Sequence, residues 1–354
     1  MVLRPLQQCA RRLSMDARRW PLVGVIDMEN RDGTIYTPAS AAEEIEQIEL
    51  NGIAKVVYTG AASIEEVDST LKADLSAVLI RRCAFDAPQL QTLPRLKSVL
   101  RMGAGYDNVN LTACANACVT VHNCPDAWVE EVADSTLSLM LALLRRTFDL
   151  SRLVTAGHGW TRQAELPQRN MKRLRGMRLG IIGLGRIGTA VAQRARPFGF
   201  EIGFYDPFLP AGIEKGLGGL HRAASFAELI ASSDVLSFHC PLTELTRHML
   251  NAHTLPPQHR GLYVLNLARG GVLDERALLD AIADGRVLGA ALDSIEDEPR
   301  VAPELIAAQQ GGANLLITPH AAFYSDDAFV EMRHLAAREV GRVLRGEPPH
   351  YRVG

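Results

Sequence analysis

The chain has no C-x-x-C pair and no excess of charge of either sign. It also has no uninterrupted apolar run near the roughly 20 residues that a membrane-spanning helix needs. Each absence excludes something. A formal net charge of −2 gives no electrostatic case for nucleic-acid or anionic-membrane binding, so neither partner is expected. Cys9, Cys83, Cys114, Cys118, Cys124 and Cys240 are scattered, which argues for reduced thiols in an intracellular, cytoplasmic protein, with nuclear and mitochondrial placements left open. Cys114, Cys118 and Cys124 with His122 read as a helix end and a strand, not as ligands, and no metal is expected. There is no repeat of solenoid period and no low-complexity segment.

What is present is an ordinary globular composition, 47% hydrophobic and 22% charged, in 354 residues, enough for two domains. Arg4, Arg11, Arg12, Arg18 and Arg19 stand in residues 1–20 with a single acid, Asp16. The segment reads as a disordered basic leader, with a short mitochondrial presequence or a start at Met15 as the alternatives.

The organising stretch is Leu179 to Asp206. Leu179, Ile181 and Ile182 suit a buried parallel strand. Gly183, Gly185 and Gly188 follow in the spacing G-x-G-x-x-G: one for the turn, one for backbone approach to a pyrophosphate, one for close helix–strand packing. Ala190, Val191 and Ala195 continue a helix that Gly199 stops, and a second strand ends at Asp206. A carboxylate there accepts from adenosine ribose hydroxyls and repels a 2′-phosphate, and Pro207-Phe208-Leu209-Pro210 offers no Arg to hold one. The site is read as dinucleotide-binding, with NAD favoured over NADP.

Before it, strands are expected at Val23–Asp27, Lys55–Thr59, Ala77–Ile80, Ser98–Met102 and Val119–His122. Helices are expected at Ala41–Leu50, Ser63–Leu71 and Pro88–Leu93. After it come strands at Val235–Cys240, Tyr263–Ala268, Ala290–Asp293 and Leu315–Thr318, with helices at Phe226–Ile230, Asp274–Asp284 and Asp327–Leu344. This alternation predicts an α/β protein with doubly wound parallel sheets. Asp126 is a candidate N-cap for a long helix with Glu130 and Glu131 in its first turn. Val132, Leu137, Leu139, Met140, Leu143 and Leu144 make it apolar over much of its circumference, so it is expected between domains or against a second subunit. Residues 151–175 read as a polar surface excursion.

Leu100-Arg101-Met102-Gly103-Ala104-Gly105-Tyr106-Asp107-Asn108 is a Gly-rich stretch at the carboxyl end of a strand. It is either a turn whose amides and Arg101 receive a carboxylate or a tight turn with a surface Arg. Arg269, Glu298 and His320 each stand just past a strand end. Reduction of a 2-oxo acid needs a cation for the carboxylate, a proton donor for the forming alkoxide, and a group that keeps the donor protonated and oriented. Arg, His and a carboxylate fill those parts. Singly, each also reads as a surface ion pair, a satisfied turn histidine or a loop acid. His122, His158, His239, His248 and His253 have no comparable partners in the sequence.

The ordered runs LGIIGLGRIG…FYDP, SFHCPL, NLARGGVLDERAL, GAALDSIEDEP and LLITPHAAFYSD resemble the D-isomer-specific 2-hydroxyacid dehydrogenase family over about residues 21–350. HNCPDAWVEEVADSTLSLMLALLRR and TPHAAFYSD look like its C-terminal-binding-protein branch. The resemblance implies two Rossmann-like domains: a flavodoxin-like substrate domain from 21–125 and 320–354, and an NAD-binding Rossmann domain at 126–319. It implies catalysis by Arg269, Glu298 and His320, with Arg101, Gly103 and Phe323 on the substrate, a 2-oxo or 2-hydroxy acid. NAD would be held by Ala104, by Ile182, Gly183, Leu184, Gly185, Arg186 and Ile187, and by Asp206. Cys240, Pro241, Leu242 and Thr246, then Leu267, Ala268 and Asp293, would complete that set.

The resemblance also implies a homodimer through the cofactor domain. It carries the alternative of an NAD(H)-sensing corepressor or scaffold that binds peptide motifs. Two departures bear on this. Phe323 stands where the branch usually has Trp, and the long tail of animal corepressors is missing after GEPPH. Thr318-Pro319-His320 lacks the Gln that marks formate dehydrogenases. Pocket size is expected to depend on Arg101, Phe323 and a 300–312 loop.

Overall fold

A computed structural model describes residues 20–29, 34–158, 160, 171–257, 259 and 261–353. The basic leader, apart from Trp20, lies outside the described residues. The chain divides into two compact units, one running to Trp128 and resuming at Ser325, the other spanning Val129–Tyr324.

In the first unit β1 (Leu22–Val25), β2 (Lys55–Tyr58), β3 (Leu75–Ile80), β4 (Ser98–Arg101) and β5 (Thr120–Asn123) pair in the order β5-β4-β3-β1-β2, all parallel. This is the flavodoxin-type order, with its switch point between β1 and β3. The crevice there is filled from within. Asp27, at a left-handed φ of 51°, accepts the backbone N–H groups of Arg81 (2.7 Å), Arg82 and Cys83 (2.6 Å). Burial, outweighing those amides, raises its carboxyl pKa. The glycine-rich turn sits instead at the end of β4, away from the switch point. A last strand, Arg352–Val353, pairs antiparallel with β5 and was not legible in GEPPHYRVG. It is held by the Tyr351 N–H to Glu339 (2.8 Å) and the Tyr351 hydroxyl to Asp126 (2.6 Å).

The second unit holds β6 (Arg178–Ile182), β7 (Glu201–Tyr205), β8 (His221–Arg222), β9 (Val235–Phe238), β10 (Leu262–Asn266), β11 (Val287–Leu292) and β12 (Leu315–Ile317). They pair parallel in the order β12-β11-β10-β9-β6-β7-β8. This is the Rossmann order with its switch point between β6 and β9. Ile182, Leu236, Phe238, Val264, Leu278 and Leu292 form part of one buried cluster on this sheet.

Several expectations are corrected. The helix foreseen at Ser63–Leu71 is only Ser69–Lys72, because the Asp68 carboxylate captures the N–H groups of Thr70 and Leu71 and starts a helix there. Ala41–Leu50 breaks into a short 3₁₀ turn and the helix Ile45–Glu49. Thr147–Thr155 is helical, which removes the start of the supposed excursion; most of the rest lies outside the described residues. The 300–312 loop contains the helix Pro303–Gln310, which Pro303 opens. The long helix begins at Val129, so Asp126 does not cap it at the expected place. Its apolar side, with Leu137, Met140 and Leu144, is buried inside its own unit, packed on Arg186–Ala195. Cys83, Cys114, Cys124 and Cys240 are free thiols, whereas Cys118 is disulfide-bonded.

Candidate active site

The strand ends of the second unit collect most of the expected residues. Gly183 has φ 85°, and a side chain there would meet the His239 carbonyl at 2.9 Å and Cys240 at 3.0 Å. It is glycine for its turn and for its contact with the end of β9. A Cβ on Gly188 would overlap the Gly183 carbonyl oxygen, which fixes how closely the helix Arg186–Ala195 lies on β6. Gly185 caps that helix with no side chain and has nothing within 4 Å of an added Cβ. Gly185 to Ile187 thus present backbone N–H groups at a helix N-terminus, a cradle that fits a pyrophosphate.

Asp206 stands at the end of β7. Its carboxylate accepts the N–H groups of Leu184 (3.0 Å) and Phe208 (3.0 Å), so it also ties the glycine turn to its strand. Sequence reading missed Arg222, which donates to the carbonyls of Asp206 (3.4 Å), Leu209 (3.3 Å) and Pro210 (2.7 Å). It pairs with Glu214 and stacks on Phe204, so this cation is committed to shaping the turn. In the next loop the Thr246 hydroxyl donates to the Pro241 carbonyl (2.6 Å), rounding off Cys240–Thr246. Burial pushes the Cys240 thiol up to about 11 and keeps it inert.

His320 and Glu298 come together. Nδ1 of His320 lies 2.7 Å from Oε2 of Glu298, whose other oxygen accepts the Ile295 N–H (3.1 Å). Burial pushes the Glu298 carboxyl up, but His320, the Ile295 amide and the charge of Arg269 outweigh it and hold it below the usual carboxylate range. Nε2 of His320 has no hydrogen-bond partner among the described residues. Phe323 meets the imidazole edge-on, with ring centroids 6.4 Å apart. Arg269 follows the end of β10, in a turn shaped by Asn266, whose amide donates to the Arg269 carbonyl (2.9 Å) and accepts from Ala268 (3.1 Å). Asn266, a buried polar residue at the strand end, is not singled out by sequence reading.

Asp293 is buried, and its carboxylate accepts the Thr318 hydroxyl (2.6 Å) and the N–H groups of Ala321 (3.0 Å) and Ala322 (3.0 Å). It holds the turn in which His320 takes a left-handed φ of 51°. Asp293→Ala takes the acceptor from three donors, of which the Ala322 N–H is buried, and is expected to cost about 2–3 kcal/mol. Calorimetry should show the melting temperature falling by roughly 4–12 °C.

In the first unit, Arg101 ends β4 half-buried, donating from its guanidinium to the Met102 carbonyl (3.2 Å). Gly103, at φ 134°, leaves that guanidinium its space; a Cβ would overlap it and meet Trp128 Nε1 at 2.9 Å. The Asn123 amide donates to the Ala104 carbonyl (2.7 Å) and the Cys124 N–H to that of Gly103 (2.9 Å), fixing the turn.

Two histidines that lack partners in the sequence gain acidic ones in the fold. His122 and Glu339 face each other 3.5 Å apart, both buried, and His248 pairs with Glu296. Burial pulls the His122 imidazole below its ordinary range, and burial holds His239, whose Nε2 lies 2.7 Å from the Ser237 hydroxyl, down to about 3. Unfolded histidine takes up a proton near pH 6.5 that these folded rings refuse. Stability should therefore be full above about pH 6.5 and fall on acidification, by up to about 1.4 kcal/mol per pH unit per ring. Thermal scans at pH 7 and 5 check this, with His239→Asn expected to flatten the slope. Among the described residues no group of three or more His, Cys, Asp or Glu could hold a metal ion. Among them, too, no helix is long and apolar enough to cross a membrane.

The profile described as "D-isomer specific 2-hydroxyacid dehydrogenase, NAD binding domain" matches residues 137–322, more than half of the chain. The chain belongs to this family. It carries the family's NAD-binding domain, and the cradle at Gly183–Ile187 fits that cofactor. The chain is 33% identical over 350 residues to C-terminal-binding protein 1 of Caenorhabditis elegans, covering 97% of this chain and 46% of that protein. It is 32% identical over 312 residues to D-3-phosphoglycerate dehydrogenase of Methanocaldococcus jannaschii, covering 86% of this chain and 55% of that one. The chain thus spans about half the length of the curated relatives it matches. Among solved structures it is similar to the NADPH-dependent glyoxylate/hydroxypyruvate reductase of Sinorhizobium meliloti, determined with NADP and malonate. There the TM-score is 0.78 at 26% identity, covering 95% of this chain and 97% of that one.

Proposed function

We propose that the protein is an NAD-dependent oxidoreductase that interconverts a D-2-hydroxy acid and its 2-oxo acid. The observation that carries this reading is the 2.7 Å contact between Glu298 and His320, in the same unit as the glycine cradle and Arg269. Glu298 engages Nδ1, which leaves Nε2 as the nitrogen that gives a proton to the forming alkoxide and regains it in reverse. Arg269 binds the substrate carboxylate and polarises the carbonyl. NAD, when bound, supplies or accepts the hydride. Gly183 to Ile187 hold its pyrophosphate and Asp206 its ribose, with Cys240, Pro241, Leu242, Thr246, Leu267 and Ala268 beside it.

In the first unit, Arg101 and Gly103 are assigned to the substrate and Ala104 to the cofactor. Phe323 limits the substrate side chain. The unit containing Arg101 is the substrate domain, the other the cofactor domain, and the protein acts as an intracellular homodimer. The identity to C-terminal-binding protein 1 across 97% of the chain favours, as a second reading, an NAD(H)-dependent scaffold for peptide motifs.

The test is NADH oxidation across glyoxylate, pyruvate, hydroxypyruvate, 4-methylthio-2-oxobutyrate and phenylpyruvate, with the product's configuration determined. Turnover to D products supports the enzyme. NADH binding without turnover of any of them supports the scaffold.

A further inference from the structure

The loop that presents Glu298 is held by more than its own residues. The Glu296 N–H donates to the Glu275 carboxylate at 2.7 Å. The Glu296 side chain reaches the other way, to Nε2 of His248. Gly270 lies so close beneath that a Cβ on it would overlap the Ile295 carbonyl and the Glu296 nitrogen. His248 belongs to the segment that continues the Cys240–Thr246 loop and is one of the few non-glycine residues at positive φ, 47°. Its N–H donates to the Gly271 carbonyl (2.8 Å), and its own carbonyl accepts from the Asn251 amide (2.7 Å). Two residues on, Leu250 pairs with Leu273 and its carbonyl accepts the Asp274 N–H (2.9 Å). This one histidine therefore touches the loop of Glu298 with its ring and the loop of Arg269 with its backbone, while being covalently continuous with the Cys240–Thr246 loop.

The charges make the same point. Glu275, Glu296, Asp297 and Glu298 crowd this corner; burial raises the carboxyl pKa of Glu275 and the other three acids add to it. Left alone, such a group spreads apart. His248 is the side chain that bonds Glu296 and draws the loop back toward the Arg269 turn. The pair is partly exposed, His248 at 45% and Glu296 at 32%, so it adds little to stability. Its effect is on placement, where small displacements of a reacting group are costly.

We propose that His248 and Glu296 are a positioning pair that fixes the Glu298 loop and, through it, the Glu298–His320 hydrogen bond. This rests on the reading of His320 as the proton donor. Neither residue touches the reacting atoms in that reading.

Four variants test it: His248→Ala, His248→Gln, Glu296→Ala and the double alanine variant. His248→Gln keeps a nitrogen donor at similar reach and the same backbone demand. The alanine variants should lower kcat about 3- to 10-fold, with NADH affinity within twofold of wild type. The double variant should be no worse than either single one, and His248→Gln should recover at least half of the loss. Unchanged kcat, multiplying losses, or His248→Gln no better than His248→Ala would overturn the proposal. A crystal structure of Glu296→Ala reads the geometry without turnover: Glu298 should leave hydrogen-bond distance of His320, and an unaltered contact would overturn the pair's role. Absence of turnover in the wild-type protein would instead refute the dehydrogenase reading and leave the structural readout to decide this one.

Discussion

His320→Ala is expected to lower kcat by about 10²- to 10⁴-fold, the span of positioned proton transfer, or about 2.7–5.5 kcal/mol of barrier. NADH affinity should stay within about threefold, since the imidazole is engaged by Glu298 and not by the glycine cradle. Glu298→Gln should fall between this variant and wild type. It keeps an oxygen near the Ile295 N–H but presents a neutral, flippable amide to Nδ1. Steady-state kinetics with the best substrate of the panel, beside a fluorescence titration of NADH, separates the two effects. Activity of His320→Ala within tenfold of wild type would remove His320 from the chemistry.

The second large effect concerns the glycines, which two substitutions should split into a packing role and a binding role. Gly188→Ala places a methyl group onto the Gly183 carbonyl oxygen and 3.2 Å from Cγ2 of Ile181, so the helix Arg186–Ala195 must lift from β6. Overpacking of this kind costs about 1–3 kcal/mol, or roughly 2–12 °C in melting temperature for a unit of this size. NADH affinity should drop at least about tenfold, because the helix N-terminus moves with it. Gly185→Ala meets nothing within 4 Å. Its melting temperature should stay within about 2 °C of wild type while NADH affinity still falls, since the methyl occupies the approach of the pyrophosphate. Equal melting temperatures for both variants would contradict this division.

The fold and the site were legible to different depths. Strand, glycine turn, helix and acid follow one another within Leu179–Asp206, so hydrophobic period and glycine spacing suffice to place them. Arg269, Glu298 and His320 could be listed because each follows an apolar strand, and parallel sheets bring such ends together. What supports them was not visible. Asn266 looks like any strand residue until the turn it shapes is seen. Asp293 is legible as a candidate cofactor contact, but its hold on residues 318–322 is not. Asp27 reaches the amides of Arg81 to Cys83, and His248 reaches Glu296, across sequence separations that only strand order closes. Short helices failed for a related reason. In Ser63–Leu71 a single acid, Asp68, rewrites the hydrogen bonding that apolar spacing suggests.

The central claim is hydride exchange at C2 of a hydroxy acid, with the proton handled by His320. The most direct measurement uses NADH deuterated at C4 and the best 2-oxo acid of the panel, followed by mass and chiral analysis of the product. Deuterium at C2 of a D-2-hydroxy acid, formed by wild type and lost with His320→Ala, is the predicted result. Cofactor oxidation without deuterium at C2, or a product of L configuration, would contradict it.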